Sequence, residues 1–213
     1  FMTISINYKN SSSKKTPSNN ILFVDEKYTI SSVKKHITTP EYTFISDLIK
    51  TKDIKKKFLT FDLSSKKKII LVALKKNISY SEVENLGAKF YESIKNNKQG
   101  NYFLNSDSIS IKLKNIIGHF LHGLRLKSYS FQKYKTKKTI KNISIIVIGK
   151  NIPSHKNQIK FKAVEEGTFY TRDLVSEPGN ILHPDEYAKR LNLLRKDGLK
   201  IKIYNEKELK KLG

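Results

Sequence analysis

The stretch Ile69–Ile94, IILVALKKNISYSEVENLGAKFYESI, changes its period part-way along. Its first part, IILVAL (Ile69–Leu74), is apolar without a break, as suits a central strand covered on both faces. After a short polar loop, Ser79 and Glu82 are spaced as a capping box, and Val83, Leu86, Phe90 and Ile94 form one stripe of a helix running to about Asn96. Strand, loop and helix in that order make half of a crossover unit. A second buried strand, ISIIVIG (Ile143–Gly149), follows further on, separated from the first by helical segments. Two long apolar strands divided by helices predict an α/β fold with a sheet flanked by helices.

Working outward, Met2–Tyr8 (MTISINY) alternates as a strand and NSSSKKTPSNN (Asn10–Asn20) is a polar loop. ILFVD (Ile21–Asp25) and YTIS (Tyr28–Ser31) resume extended structure around a turn at Glu26 and Lys27, which predicts a hairpin. FISDLIK (Phe44–Lys50) reads as a short helix and LTFDL (Leu59–Leu63) as a strand. Ile109–Leu113 is expected to be a further strand, and Ile116–Leu126 a helix in spite of two glycines. A long helix from about Ser154 to Val175 places Ile159, Ala163, Gly167, Tyr170 and Leu174 roughly on one face, and Pro178 and Gly179 end it. Beyond it a helix opens at Pro184 and ends at Gly198, followed by an expected strand LKIKIY (Leu199–Tyr204) and a helix at NEKELKKL (Asn205–Leu212). A lone strand in that last unit needs a partner, so the unit reads as the opening of a larger one.

The chain has 213 residues, with 42 Lys plus Arg against 19 Asp plus Glu and a formal net charge of +23. Such a field attracts phosphate backbones in a salt-dependent way. The lysines are spread through every segment, however, and only Arg125, Arg172, Arg190 and Arg195 supply guanidinium groups, so a bias in composition explains the charge at least as well. Cysteine is absent, which excludes disulfides, thiolate metal sites and a Cys nucleophile. No run approaches the roughly 18 apolar residues of a membrane span, and the start lacks a signal-peptide pattern, so a cytoplasmic protein is expected. Phe1 ahead of Met2 is set aside as foreign to the fold.

The candidates for chemistry are few. His119 and His122 stand three apart on a helix, without HExxH spacing or an evident third metal ligand, so a helix with one inward and one outward histidine is the plainer reading. Gly118 and Gly123 have the gap of a phosphate loop, but Leu124 and Arg125 occupy the places of Lys and Ser/Thr. With 9 glycines and no Gly-rich run, no cradle for a dinucleotide or ADP-ribose is evident. Asp173 and Glu177 share a helix face, and Asp185 and Glu186 fall in a first turn where acids complement the helix dipole. YSFQKYKTKK (Tyr129–Lys138) interleaves aromatics with lysines, as a single-strand nucleic-acid platform does, and equally as a loop that anchors its rings inward.

Two longer motifs carry a family likeness. GLRLKSYSFQKYKTKK (Gly123–Lys138) resembles the G-x-x-L-x-x-Y-x-F-x-x-Y-K-T segment of the cytosol (leucyl) aminopeptidase family, at Gly123, Leu126, Tyr129, Phe131, Tyr134, Lys135 and Thr136. TRDLVSEPGNILHPDEYAKRL (Thr171–Leu191) resembles that family's (A/T)-R-D-L-x-N-x-P-x-N-x-L-x-P-x-x-(F/Y)-A segment, at Arg172, Asp173, Leu174, Pro178, Asn180, Leu182, Pro184, Tyr187 and Ala188. Ser176 stands where Asn is usual, Gly179 often has a Pro counterpart, and Met2 to about Asn105 matches only in element order.

The resemblance implies a macro-like N-terminal domain with a mixed sheet flanked by helices (residues 2–152), a linker helix (153–178) and the truncated start of an α/β peptidase domain (179–213). It further implies a homo-hexameric enzyme that removes N-terminal residues from peptides with two divalent metals, Mn or Zn. The family's N-T-D-A-E-G-R ligand motif does not occur in this sequence, so no catalytic, cofactor-binding or metal residue is carried over and the chain itself is expected to be inactive. The alternative is a basic nucleic-acid-binding module, since some bacterial members of the family bind DNA.

Overall fold

The structure, a computed structural model, describes residues 4–9, 19–97, 100–111, 113–136 and 142–213. It divides into two compact units, Phe1–Glu166 and Gly167–Gly213. The first unit contains strands β1 (Ile4–Lys9), β2 (Asn19–Asp25), β3 (Phe58–Ser64), β4 (Lys67–Leu74), β5 (Asn101–Asn105) and β6 (Ile143–Ile148). Its helices are α1 (Thr39–Ile49), α2 (Tyr80–Ile94), α3 (Ile116–Lys127) and the opening part of α4 (His155–Ser176). The six strands form one sheet in the order β1-β6-β5-β2-β4-β3, parallel throughout except for β3, which runs antiparallel to β4.

The unbroken apolar run of β4 follows from its place in that sheet. Ile70, Val72 and Leu74 enter one core, which also holds Val83, Leu86 and Phe90 of α2 and Phe120, Leu121 and Leu124 of α3. Ile69, Leu71 and Ala73 enter a second core on the opposite face, with Val33, Ile45 and Phe61. β2 divides its side chains in the same way, Ile21 and Phe23 against Leu22 and Val24. A strand with a core on each face has no position for an alternating polar residue. The expected α/β architecture, a mixed sheet flanked by helices, is the one observed.

Helix α2 starts at the expected capping box, where Ser79 Oγ accepts from the Glu82 amide and the Glu82 carboxylate accepts from the Ser79 amide. It packs on α3 at very short range because of two glycines. A Cβ on Gly87 would lie 1.9 Å from the Phe120 carbonyl oxygen, and one on Gly123 would lie 1.9 Å from that of Glu84. The helix therefore tolerates Gly123 because α2 occupies the space that a side chain would need.

Four expectations need correction. ILFVD and YTIS form no hairpin: β2 has β5 on one edge and β4 on the other, so no edge is free. Asp25 Oδ1 instead accepts from the amides of Lys27 (3.1 Å) and Thr29 (2.8 Å), and the chain enters a 3-10 turn, Ile30–His36, that buries Ile30 and Val33. The helix expected at Phe44 begins at Thr39, behind a second capping box made by Thr38 and Glu41. The strand expected at Ile109–Leu113 is absent from its described residues, and β5 lies earlier, at Asn101–Asn105. Ile109, Ile111 and Leu113 pack against the first core from a loop, so their alternation reports burial without a ladder. Most of the polar loop read at Asn10–Asn20, and the last two residues of Tyr129–Lys138, lie outside the described residues.

The second unit holds the rest of α4, then α5 (Pro184–Leu193) and α6 (Glu206–Leu212). LKIKIY (Leu199–Tyr204) is not a strand, the fourth correction. Leu199, Ile203 and Tyr204 are exposed, with no neighbouring strand among the described residues to satisfy their backbone.

Candidate functional site

Every polar group that α3 directs to one side is matched by a carboxylate. Its residues 119, 122 and 125 recur about one turn apart, which aligns His119, His122 and Arg125. His119 Nδ1 lies 2.7 Å from Glu84 Oε1 of α2, and its ring stacks on Tyr80 at 4.2 Å. His122 Nδ1 lies 3.0 Å from Glu165 Oε1, and Arg125 Nε donates to Glu165 Oε2 at 3.0 Å. Glu165, on α4, is only 3% exposed, and His122 is 7% exposed. One buried carboxylate thus holds an imidazole and a guanidinium, with all of its oxygens engaged.

The ring of Phe161 is wedged beside both histidines, 5.0 Å from His119 and 5.3 Å from His122. Gly118 makes room for it, since a Cβ there would lie 2.3 Å from Phe161 Cε2. The glycine pair that has the gap of a phosphate loop therefore serves packing on two sides of α3. A cleft of about 320 Å³ opens beside the cluster, lined by Tyr8, His122, Arg125, His155, Lys162 and Glu165. Burial first, and the Glu165 charge second, push the Tyr8 hydroxyl up to about 12, while Arg125 works against them. Tyr8 accordingly stays a neutral donor across the physiological range.

This arrangement is a clamp. It lacks an activated nucleophile, and among the described residues no three His, Asp or Glu side chains converge so as to hold a metal ion. The two divalent ions implied by the family resemblance thus have no ligand set among these residues. The two histidines are not divided into an inward and an outward one either, because both face Phe161. Glu165 escaped the sequence reading, since its partners stand about forty residues away and no periodicity links them.

Two of the four acidic residues of the Thr171–Leu191 segment, Glu177 and Glu186, come together around an arginine in the second unit. Arg190 Nη1 donates to Glu177 Oε1 at 3.0 Å, and its Nε donates to Glu186 Oε1 at 2.9 Å. Arg190 in turn holds the Glu186 carboxyl below its usual range. Tyr170 Oη donates to the Arg190 carbonyl at 3.0 Å, and the Pro178 carbonyl accepts from the amides of Ile181 and Leu182. The segment is a stapled helix–turn–helix corner. Asp173 is on α4 ahead of the turn, and Asp185 is in the first turn of α5, as expected. Phe131 and Tyr134 pack edge to face at 5.8 Å, so the aromatic and lysine run is partly tied to itself.

The N-terminal-domain model of the cytosol aminopeptidase family matches residues 21–138, more than half of the chain. The chain belongs to the cytosol aminopeptidase family. A probable cytosol aminopeptidase of Clostridium perfringens (strain 13 / Type A) is 33% identical over 155 residues, which is 68% of this chain and 31% of that protein. One from Sinorhizobium medicae (strain WSM419) is 36% identical over 119 residues, 52% of this chain and 24% of that protein. The chain therefore spans less than a third of the length of these curated family members. In fold it is similar to a tomato leucine aminopeptidase mutant, with a TM-score of 0.74 at 16% identity over 98% of this chain and 46% of that one. A bottromycin maturation enzyme in complex with Mn aligns with a TM-score of 0.65 at 14% identity, over 92% of this chain and 40% of that one. The aminopeptidase family indicated by the two sequence motifs is the one observed. No helix among the described residues is long and apolar enough to cross a membrane.

Proposed function

We propose that this chain is the accessory N-terminal portion of a two-metal leucyl aminopeptidase that removes N-terminal residues from peptides. The match of residues 21–138 to the family's N-terminal domain carries the reading. In it, residues 2–152 form a macro-like domain, 153–178 a linker helix and 179–213 the beginning of the peptidase domain. The stapled corner at Arg190 supports a structural part for the Thr171–Leu191 segment, since Glu177 and Glu186 are paired within it. Mn or Zn is held by residues beyond this chain, the parent enzyme is a cytoplasmic homo-hexamer, and the 213 residues by themselves do not hydrolyse peptides. The exposed Leu199, Ile203, Leu209 and Leu212 fit a unit that continues into a larger core.

A longer protein carrying this chain at its front should hydrolyse leucine p-nitroanilide when supplied with Mn or Zn and lose that rate to a chelator. A parent protein without such a rate would contradict the assignment. The net charge of +23 favours a second reading, nucleic-acid binding. A steep log–log salt dependence together with a preference for particular DNA sequences would support it, whereas weak, sequence-indifferent retention would count against it.

A further inference from the structure

We propose that the cleft between β1, α3 and α4 binds an uncharged carboxamide that carries an aliphatic side chain, the chemistry of a short peptide blocked at both ends. Two polar groups on this cleft lack a protein partner among the described residues. The first is a ring nitrogen of His122, a residue only 7% exposed whose Nδ1 is taken up by Glu165. Glu165 also accepts from Arg125 and, as a carboxylate, can only accept, so Nδ1 carries the hydrogen of that bond and the neutral ring offers Nε2 as an acceptor. The second is the Tyr8 hydroxyl. It responds to the charges of both Glu165 and Arg125, and so lies close to that pair, yet it bonds to no described residue. The cleft thus presents one neutral donor and one acceptor.

The charges along the cleft are matched within the protein. Glu165 and Arg125 pair at 3.0 Å, Lys162 lies 3.7 Å from Glu166 on its own helix, and His155 is open to solvent. No buried charge is left over for an ion, which suits a neutral ligand that both donates and accepts. An amide does so: its C=O accepts from Tyr8 Oη and its N–H donates to His122 Nε2. The rest of the lining is largely apolar. Ile6 shares a face of β1 with Tyr8, and Leu121, Phe161 and Ile159 line the same cleft, with Ile159 left 56% exposed. An aliphatic group laid against them takes that surface out of water. The volume of about 320 Å³ is at the small end of ligand sites and suits one residue with its flanking amides. All of the lining belongs to the first unit, so the site does not depend on peptidase activity.

Titration of the chain with N-acetyl-leucinamide, followed by amide chemical shifts at about 0.15 M salt, tests the site. The expected result is one saturable site with a Kd of about 1 mM or tighter, as befits so small a ligand. N-acetyl-leucine, whose carboxylate has no N–H to give to His122 Nε2, should bind about fivefold more weakly or worse. Tyr8→Phe should weaken the amide by about fivefold at unchanged Tm, because the hydroxyl has no protein partner to lose. Ile159→Asp, at an exposed position, should weaken it as well without unfolding the chain. The shift changes should cluster at residues 6–8, 118–122 and 158–162. No saturation below about 10 mM, as from a cleft that holds water alone, would overturn the proposal. So would equal affinity for the amide and the acid, an unchanged affinity in either variant, or shift changes centred elsewhere.

Discussion

Glu165 and Gly123 carry more of the structure than their residue types announce. Glu165 is buried against His122 and Arg125, so replacing it with alanine leaves a guanidinium without its carboxylate and should cost about 3–5 kcal/mol in urea unfolding. The triple change His122→Leu/Arg125→Met/Glu165→Leu removes all three polar groups and should recover most of that loss; equal destabilisation in both variants would contradict the clamp. Gly123→Ala sets a methyl 1.9 Å from the Glu84 carbonyl oxygen, backbone that α2 cannot easily move. A loss of about 1–3 kcal/mol is expected, seen as a lower urea midpoint at constant slope, and a neutral result would mean that α2 and α3 are farther apart. Neither role was legible in the sequence. The gap between Gly118 and Gly123 is that of a phosphate loop, but Leu124 and Arg125 rule that reading out and nothing local replaces it, since only the third dimension brings Glu84 and Phe161 to the glycines.

At the scale of elements, β4 and α2 were legible because their signals are local: an unbroken apolar run, and a capping box ahead of a stripe. The start of α1 carried the same signal in Thr38 and Glu41, yet the apolar residues further on drew the reading to Phe44. Thr38→Ala should cost about 1 kcal/mol, read from the thermal or urea transition. Glu41 also pairs with Lys67. Burial works to raise its carboxyl, but the Lys67 ammonium and the Thr38 amide outweigh it and hold the group below its ordinary 4.5. A folded value below the unfolded one means that the contribution is complete above about pH 4.5 and is lost as pH falls through the folded value. Glu41→Gln should flatten the stability curve in that acid window, and an unchanged slope would contradict the pairing. The failed hairpin and the displaced β5 share one cause. Sequence alternation shows which residues are buried, and whether a ladder edge is open to them depends on strands far along the chain, as Ile70 is beside Ile21 and Phe103 beside Asn20.

For the whole molecule, the two-sided sheet and the family were legible, because buried strands and long motifs need no tertiary information. The arrangement of the second unit was less so: its expected strand is irregular, and no local pattern marks Arg190 as the centre of the corner, because Glu177 lies 13 residues away along the chain. That corner changes how Thr171–Leu191 is understood, since Glu177 and Glu186 are engaged in holding α4 to α5 through Arg190. The account as a whole rests on the chain being an accessory portion, with catalysis housed beyond it. The most direct test is a leucine p-nitroanilide assay of the purified 213-residue chain alone, with Mn supplied in excess. The account predicts no release of p-nitroaniline above a protein-free Mn blank. A rate proportional to chain concentration and abolished by a chelator would contradict it.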